Sequence, residues 1–94
     1  MSSASVDCER SVTIANRFGL HARPAAEFVK LANRYRSEIF VRKEDLEVNG
    51  KSIMGMMMLA AEFGSEITIR AQGDDATDAV ESLCELVRGR FGEG

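Results

Sequence analysis

His21 is the single histidine of a 94-residue chain, and it stands in the run Gly19-Leu20-His21-Ala22-Arg23-Pro24, where loop composition gives way to helical spacing. A histidine at such a boundary can accept and return a phosphoryl group. The first N–H groups of a helix lack internal acceptors and carry the positive end of the dipole, so a phosphate attached there meets donors already in place. A neutral imidazole nitrogen is a competent nucleophile near neutral pH. Arg23 adds a planar fork that matches phosphate oxygens. Pro24 is tolerated in a first turn, because its missing N–H would have had no helical partner. Gly19 offers the backbone freedom for a close approach. By itself, a His-x-Arg-Pro string also fits a loop histidine without chemistry, since short motifs recur by chance.

A second constellation is Asn49-Gly50-Lys51-Ser52-Ile53-Met54-Gly55-Met56-Met57-Met58, which is too apolar for a short helix in so small a chain. Composition alone favours methionines that fill the core. Left exposed, the same unbranched side chains would form an adaptable docking patch. Ser52 reads first as a helix N-cap worth about 1 kcal/mol. Phosphorylated, it would place about −1.5 to −2 charges beside that patch, which would spare the fold and weaken docking.

These residues need elements to position them. Val12 and Ile14 alternate with Ser11 and Thr13, predicting a half-buried strand from near Glu9, followed by a loop marked by Asn16 and Gly19. Ala25, Phe28, Val29, Ala32 and Tyr35 then recur at helical spacing, which predicts an amphipathic helix starting at His21. Ile39 and Val41, then Leu46 and Val48, flank Lys43-Glu44-Asp45 as a tight hairpin. Ser52 to Ala60 forms a short apolar helix, with Gly64 in the turn behind it. Ile67, Ile69 and Ala71 mark another strand. Asp75 caps a last helix buried through Ala76, Ala79, Val80, Leu83 and Val87, and Arg88 and Arg90 suit its C-terminal end. The order β-α-β-β-α-β-α predicts an α+β sheet covered by helices on one face and open to water on the other.

The chain is 45% hydrophobic, enough for one domain spanning 1–94, with residues 1–8 as a flexible N-terminal extension. A net charge of −3 without any basic block argues against nucleic acid and against anionic membranes, and leaves proteins as partners. The first eight residues lack the basic and apolar regions of a signal peptide, and Ile53 to Ala61 is too short to span a bilayer. A cytoplasmic location is the expectation. Cys8 and Cys84 share no metal or redox spacing, so both read as free thiols and no metal site is expected. Cys84 should pack in a helix, and Cys8 should lie near a mobile end.

Together, Gly19-Leu20-His21-Ala22-Arg23-Pro24-Ala25-Ala26 and Asn49-Gly50-Lys51-Ser52-Ile53-Met54-Gly55 resemble the two signatures of the HPr family, the histidine-containing phosphocarriers of the bacterial phosphoenolpyruvate-dependent sugar phosphotransferase system, and the resemblance runs from Glu9 to Gly92. It implies an open-faced β-sandwich of four antiparallel strands covered by three helices. It also implies that His21 is phosphorylated on Nδ1 by the phosphohistidine of enzyme I and donates to IIA units of sugar transporters. Arg23 and the backbone N–H groups of Ala22 and Arg23 would hold the phosphoryl oxygens, and no cofactor is implied. Ile53, Met54 and Met57 would form an exposed docking face, contrary to the compositional expectation. Ser52 would be a regulatory site for an HPr kinase/phosphorylase, with a transcription regulator as a further partner. The alternative is a regulatory paralogue, either of a nitrogen branch or acting through phosphoserine binding. Relatives of the second kind lack the active histidine, which His21 and Arg23 argue against.

Overall fold

Alternation along each strand determines which side of the sheet is dry. In the computed structural model, which describes residues 6–93, β1 (Val6–Thr13), β2 (Glu38–Lys43), β3 (Leu46–Asn49) and β4 (Glu66–Gly73) form one antiparallel sheet in the order β1-β4-β2-β3. Val12, Ile39, Val41, Ile67, Ile69 and Ala71 point to the buried side. The opposite side carries polar neighbours: Ser11 and Thr68 share a 3.0 Å hydrogen bond, and the Arg70 guanidinium lies 4.4 Å from the Phe40 ring and 3.6 Å from Glu47. Such cross-strand pairs suit a wet face.

The dry side is covered by α1 (Ala22–Ala32), α2 (Ile53–Met58) and α3 (Ala76–Arg88). α1 buries Ala25, Phe28, Val29 and Ala32, and α3 buries Ala79, Val80, Leu83, Cys84 and Val87, each set at the three- and four-residue intervals that make one helical stripe. The result is the open-faced sandwich in the anticipated βαββαβα order, with a short 3₁₀ turn (Arg90–Gly92) after α3. β2 and β3 are joined by the two residues Glu44 and Asp45, as the Lys43↔Leu46 pairing shows.

Three local expectations are corrected. β1 begins at Val6, so Val6 to Cys8 are not a loose extension: they pair with Gly73 to Ala71, and Cys8 packs half-buried against the core instead of near a mobile end. Arg10 hid this, because a charged residue with the parity of Cys8 and Val12 breaks the apolar alternation. Its guanidinium reaches Glu81 of α3 at 3.8 Å. Residues 1–5 of the anticipated extension lie outside the described residues. Second, the Asp75 carboxylate does not cap α3. It accepts from the N–H groups of Arg36 (2.9 Å) and Ser37 (3.0 Å) and from the Ser37 hydroxyl (2.5 Å), tying the α1–β2 connection to the start of α3. Third, of the methionines within the described residues only Met56 is buried, while Met54, Met57 and Met58 are exposed. A helix of six residues has one side to spend on the core, and Met56 occupies it.

Candidate functional site

The loop between β1 and α1 carries the site, and its path is held from both ends. Gly19 adopts φ +69°, and a Cβ there would lie 2.5 Å from the Ala61 carbonyl oxygen, so neither the conformation nor the space admits a side chain. Next to it the Leu20 N–H donates to that same Ala61 carbonyl at 2.8 Å, which fastens the loop to the segment between α2 and β4. Buried Asn16 donates its side-chain amide to the Gly19 carbonyl at 2.7 Å, closing the loop upon itself.

His21 is the N-cap residue of α1, extended at φ −80° and ψ −172°, and no side chain caps the helix. Its own N–H donates to the Gly19 carbonyl (3.0 Å), and its carbonyl accepts the first helical bond, from Ala25 (3.0 Å). Pro24 has no N–H. The N–H groups of Ala22 and Arg23 are therefore the two orphan donors of this helix start, on the turn from which the imidazole projects. The three residues anticipated as acceptor, guanidinium fork and backbone donor are thus brought together.

The His21 side chain is 43% exposed. It lines a cavity of about 500 Å³ with Arg17, Phe18, Arg23, Phe91, Gly92 and Glu93. Arg17 and Arg23 set two positive charges against the single carboxylate of Glu93 in this lining, which favours an anionic group. Phe18 and the imidazole stand at a steep angle, ring centroids 6.4 Å apart, and the Arg17 guanidinium lies over the Phe18 ring at 5.3 Å. The Glu93 carboxylate meets the imidazole on its Nε2 edge, with Oε2 at 3.1 Å and Oε1 at 3.4 Å. Oε1 also accepts from the Asn16 side-chain amide at 3.1 Å.

Glu93, Asn16, Phe18 and Arg17 belong to this site and were missed by the sequence reading. Glu93 is 72 residues from His21 and lies in no periodic element, so no spacing rule reaches it. Asn16 reads as an ordinary loop residue until its burial is known. Neither cysteine lines the cavity; Cys84 is buried in α3, and burial pushes its thiol above the ordinary 9.0. Among the described residues no group of three or more His, Cys, Asp or Glu is placed to hold a metal ion, and no helix is long and apolar enough to cross a membrane.

The second constellation lies alongside. Ser52 is the N-cap of α2, its hydroxyl accepting from the Gly55 N–H at 3.0 Å. Ile53, Met54, Met57 and Met58 stand exposed on that helix, Met54 at 77%. The Leu20–Ala61 bond places the chain leaving α2 against the residue preceding His21. Phe18 and Phe63 are also largely exposed and were not anticipated.

The family model described as PTS-HPr, PTS HPr component phosphorylation site, matches residues 8–89. The phosphocarrier protein HPr of Neisseria meningitidis serogroup A is 46% identical over 86 residues, covering 92% of this chain and 97% of that protein. The HPr-like protein Crh of Bacillus subtilis is 46% identical over 80 residues, covering 85% of this chain and 94% of that protein. Among solved structures, the crystal structure of HPr-C-His from Thermoanaerobacter tengcongensis superimposes with a TM-score of 0.89 at 44% identity, over 93% of this chain and 98% of that one.

Proposed function

This chain belongs to the HPr family of phosphotransferase-system phosphocarriers, and from that premise we propose that His21 accepts a phosphoryl group from enzyme I and donates it to IIA units of sugar transporters. The observation that carries the assignment is an exposed imidazole on the N-cap residue of α1 that lines one cavity with Arg23, next to the orphan N–H groups with which that helix starts. In the transfer the developing and final negative charge on the phosphoryl oxygens falls on these donors, which are in place beforehand. Arg23 supplies the bidentate fork and the two N–H groups the fixed dipoles. The carrier turns nothing over alone: it is the acceptor in one exchange and the donor in the next.

Docking falls to the apolar patch. Ile53, Met54 and Met57 offer exposed, repackable surface, which suits a protein that must fit an enzyme I and several IIA units in turn. Ser52 is the regulatory site of this reading, phosphorylated where the host supplies an HPr kinase/phosphorylase and then read by a transcription regulator. Its hydroxyl already caps α2, so added charge at that point confronts the docking patch first.

The deciding experiment is ³¹P NMR with mass mapping after incubation with enzyme I, magnesium and phosphoenolpyruvate. An acid-labile phosphoramidate on His21, absent from His21→Ala, is expected. No label, with a competent control carrier labelled in parallel, would favour the regulatory reading through Ser52. A likeness to Crh comparable to that to HPr keeps that reading specific, and His21→Ala separates the two: a pure binding regulator keeps its effect on its partner, and a carrier loses transfer.

A further inference from the structure

The lining of the His21 cavity carries a positive charge that Arg23 does not account for. Arg23 and Glu93 formally cancel, and what remains is the charge of Arg17, four residues before the imidazole and outside the run from Gly19 to Ala26. We propose that Arg17 is a second cation for the phosphoryl group: once His21 is phosphorylated, its guanidinium binds the phosphoryl oxygens from the loop while Arg23 binds them from the helix. The inference rests on the reading of His21 as acceptor and adds a residue that touches the group it carries.

The loop presents Arg17 on a fixed turn. Asn16 to Gly19 form a β-turn, closed by the Gly19 N–H on the Asn16 carbonyl at 3.1 Å and again by the buried Asn16 amide on the Gly19 carbonyl at 2.7 Å. Arg17 and Phe18 are its two central residues, and both are exposed, so neither side chain is spent on the core. The Arg17 guanidinium rests 5.3 Å from the centroid of the Phe18 ring, within the range of a cation–π contact, and the centroid of that same ring is 6.4 Å from the centroid of the imidazole. All three groups line the cavity of about 500 Å³.

No carboxylate competes for this guanidinium. Arg10 lies 3.8 Å from Glu81 and Arg70 lies 3.6 Å from Glu47, whereas Arg17 makes no ion pair among the described residues. The charge balance gives it a task. A phosphoryl group carries about −1.5 to −2 charges near neutral pH. Arg23 and Glu93 together set no net charge against that group. Beyond the lining, Arg90 shares a second cavity, of about 260 Å³, with Arg17, and Glu62 shares another with His21; these two also cancel. The surplus that meets a dianion is therefore that of Arg17. A guanidinium stays protonated throughout, so it can offset this charge without joining the proton traffic.

In the exchange a ring nitrogen of His21 forms a bond to the phosphorus of the donor phosphohistidine. The donor P–N bond breaks, and its electron pair returns to the donor ring. The His21 ring, keeping its own N–H, takes the positive charge, and the phosphoryl oxygens keep theirs. Arg17 makes and breaks no covalent bond: it supplies hydrogen-bond donors to oxygens that arrive charged and stay charged.

The test uses full-length protein phosphorylated on His21 with phosphoramidate, so that no partner protein enters. The ³¹P resonance of the phosphohistidine should titrate at a midpoint about one pH unit higher in Arg17→Gln than in the native chain, because losing an adjacent cation favours protonation of the phosphoryl oxygens. Arg17→Lys keeps the charge and should return most of that shift. Acceptance from phosphorylated enzyme I should fall about tenfold in Arg17→Gln, with the loss in kcat and not in KM, the order expected for one hydrogen bond to a charged group. Native midpoints and native rates in both variants would overturn the proposal. So would a native midpoint joined to a raised KM, which would make Arg17 a contact for an acidic surface of the partner. The expected midpoints in a protein that enzyme I fails to phosphorylate would instead overturn the carrier reading and support the assignment of Arg17.

Discussion

Arg23 is an exposed arginine whose guanidinium makes no ion pair among the described residues, so its fork is available to a phosphoryl group. Charge-assisted bonds from such a fork are roughly twice as strong as neutral ones. Arg23→Ala is therefore expected to slow transfer by about 10- to 100-fold while leaving the thermal midpoint near the native value, because an exposed side chain on the first turn contributes little to packing. Steady-state transfer assays and a melting curve on the same preparation check both halves. His21, Arg23 and the backbone of Ala22 were legible in the sequence because they are consecutive: residues within one turn keep their relation whatever the fold does. Glu93 and Asn16 were not, because only packing brings them to the imidazole.

At the scale of elements, the start of α1 and the start of α2 are the two sites proposed for chemistry, and each depends on how its loop is held. Gly19 cannot carry a side chain: Gly19→Ala sets a Cβ against the Ala61 carbonyl in a left-handed conformation. A loss of about 1 to 3 kcal/mol is expected, read by urea unfolding, together with slower acceptance, since the loop carries His21. Ser52→Asp should behave differently. Aspartate caps a helix as well as serine does, so α2 persists, while the added charge confronts Ile53 and Met54. Titration calorimetry should show enzyme I binding weakened by about tenfold with an unchanged circular dichroism spectrum. The helices and strands were legible from periodicity. The start of β1 was not, because Arg10 interrupts its alternation while still pairing with Glu81. The exposure of α2 also escaped composition, which counts methionines without knowing how short the helix is.

For the whole molecule, one carboxylate ties the connection between α1 and β2 to the start of α3. Asp75 accepts from the Ser37 hydroxyl and from the Arg36 and Ser37 N–H groups, and these bonds, the Ser37 hydroxyl foremost, hold its carboxyl below the ordinary 3.8. A carboxyl lowered on folding binds its proton more readily in the unfolded chain, so its stabilisation is complete above about pH 4 and fades as pH falls through the folded value. Urea midpoints should fall on acidification through that window, and less steeply in Asp75→Asn. Asp75→Ala should cost about 1 to 2 kcal/mol at neutral pH, because buried Ser37 loses its partners.

Local patterns in the amino-acid sequence determined the α+β class, the order of elements, the helix start bearing His21 and the serine that caps α2, because propensity, alternation and capping act between residues close along the chain. Tertiary structure decided three things that local patterns did not: that β1 reaches back to Val6, that Met54 and Met57, as the family resemblance implied against composition, face solvent together with Met58, and that the 3₁₀ turn after α3 carries Glu93 to the Nε2 edge of His21. The physical reason is common to them. Each depends on the space left by elements distant in sequence: β4 offering an edge, one side of a six-residue helix filling the core, and buried Phe91 steering the chain across the site.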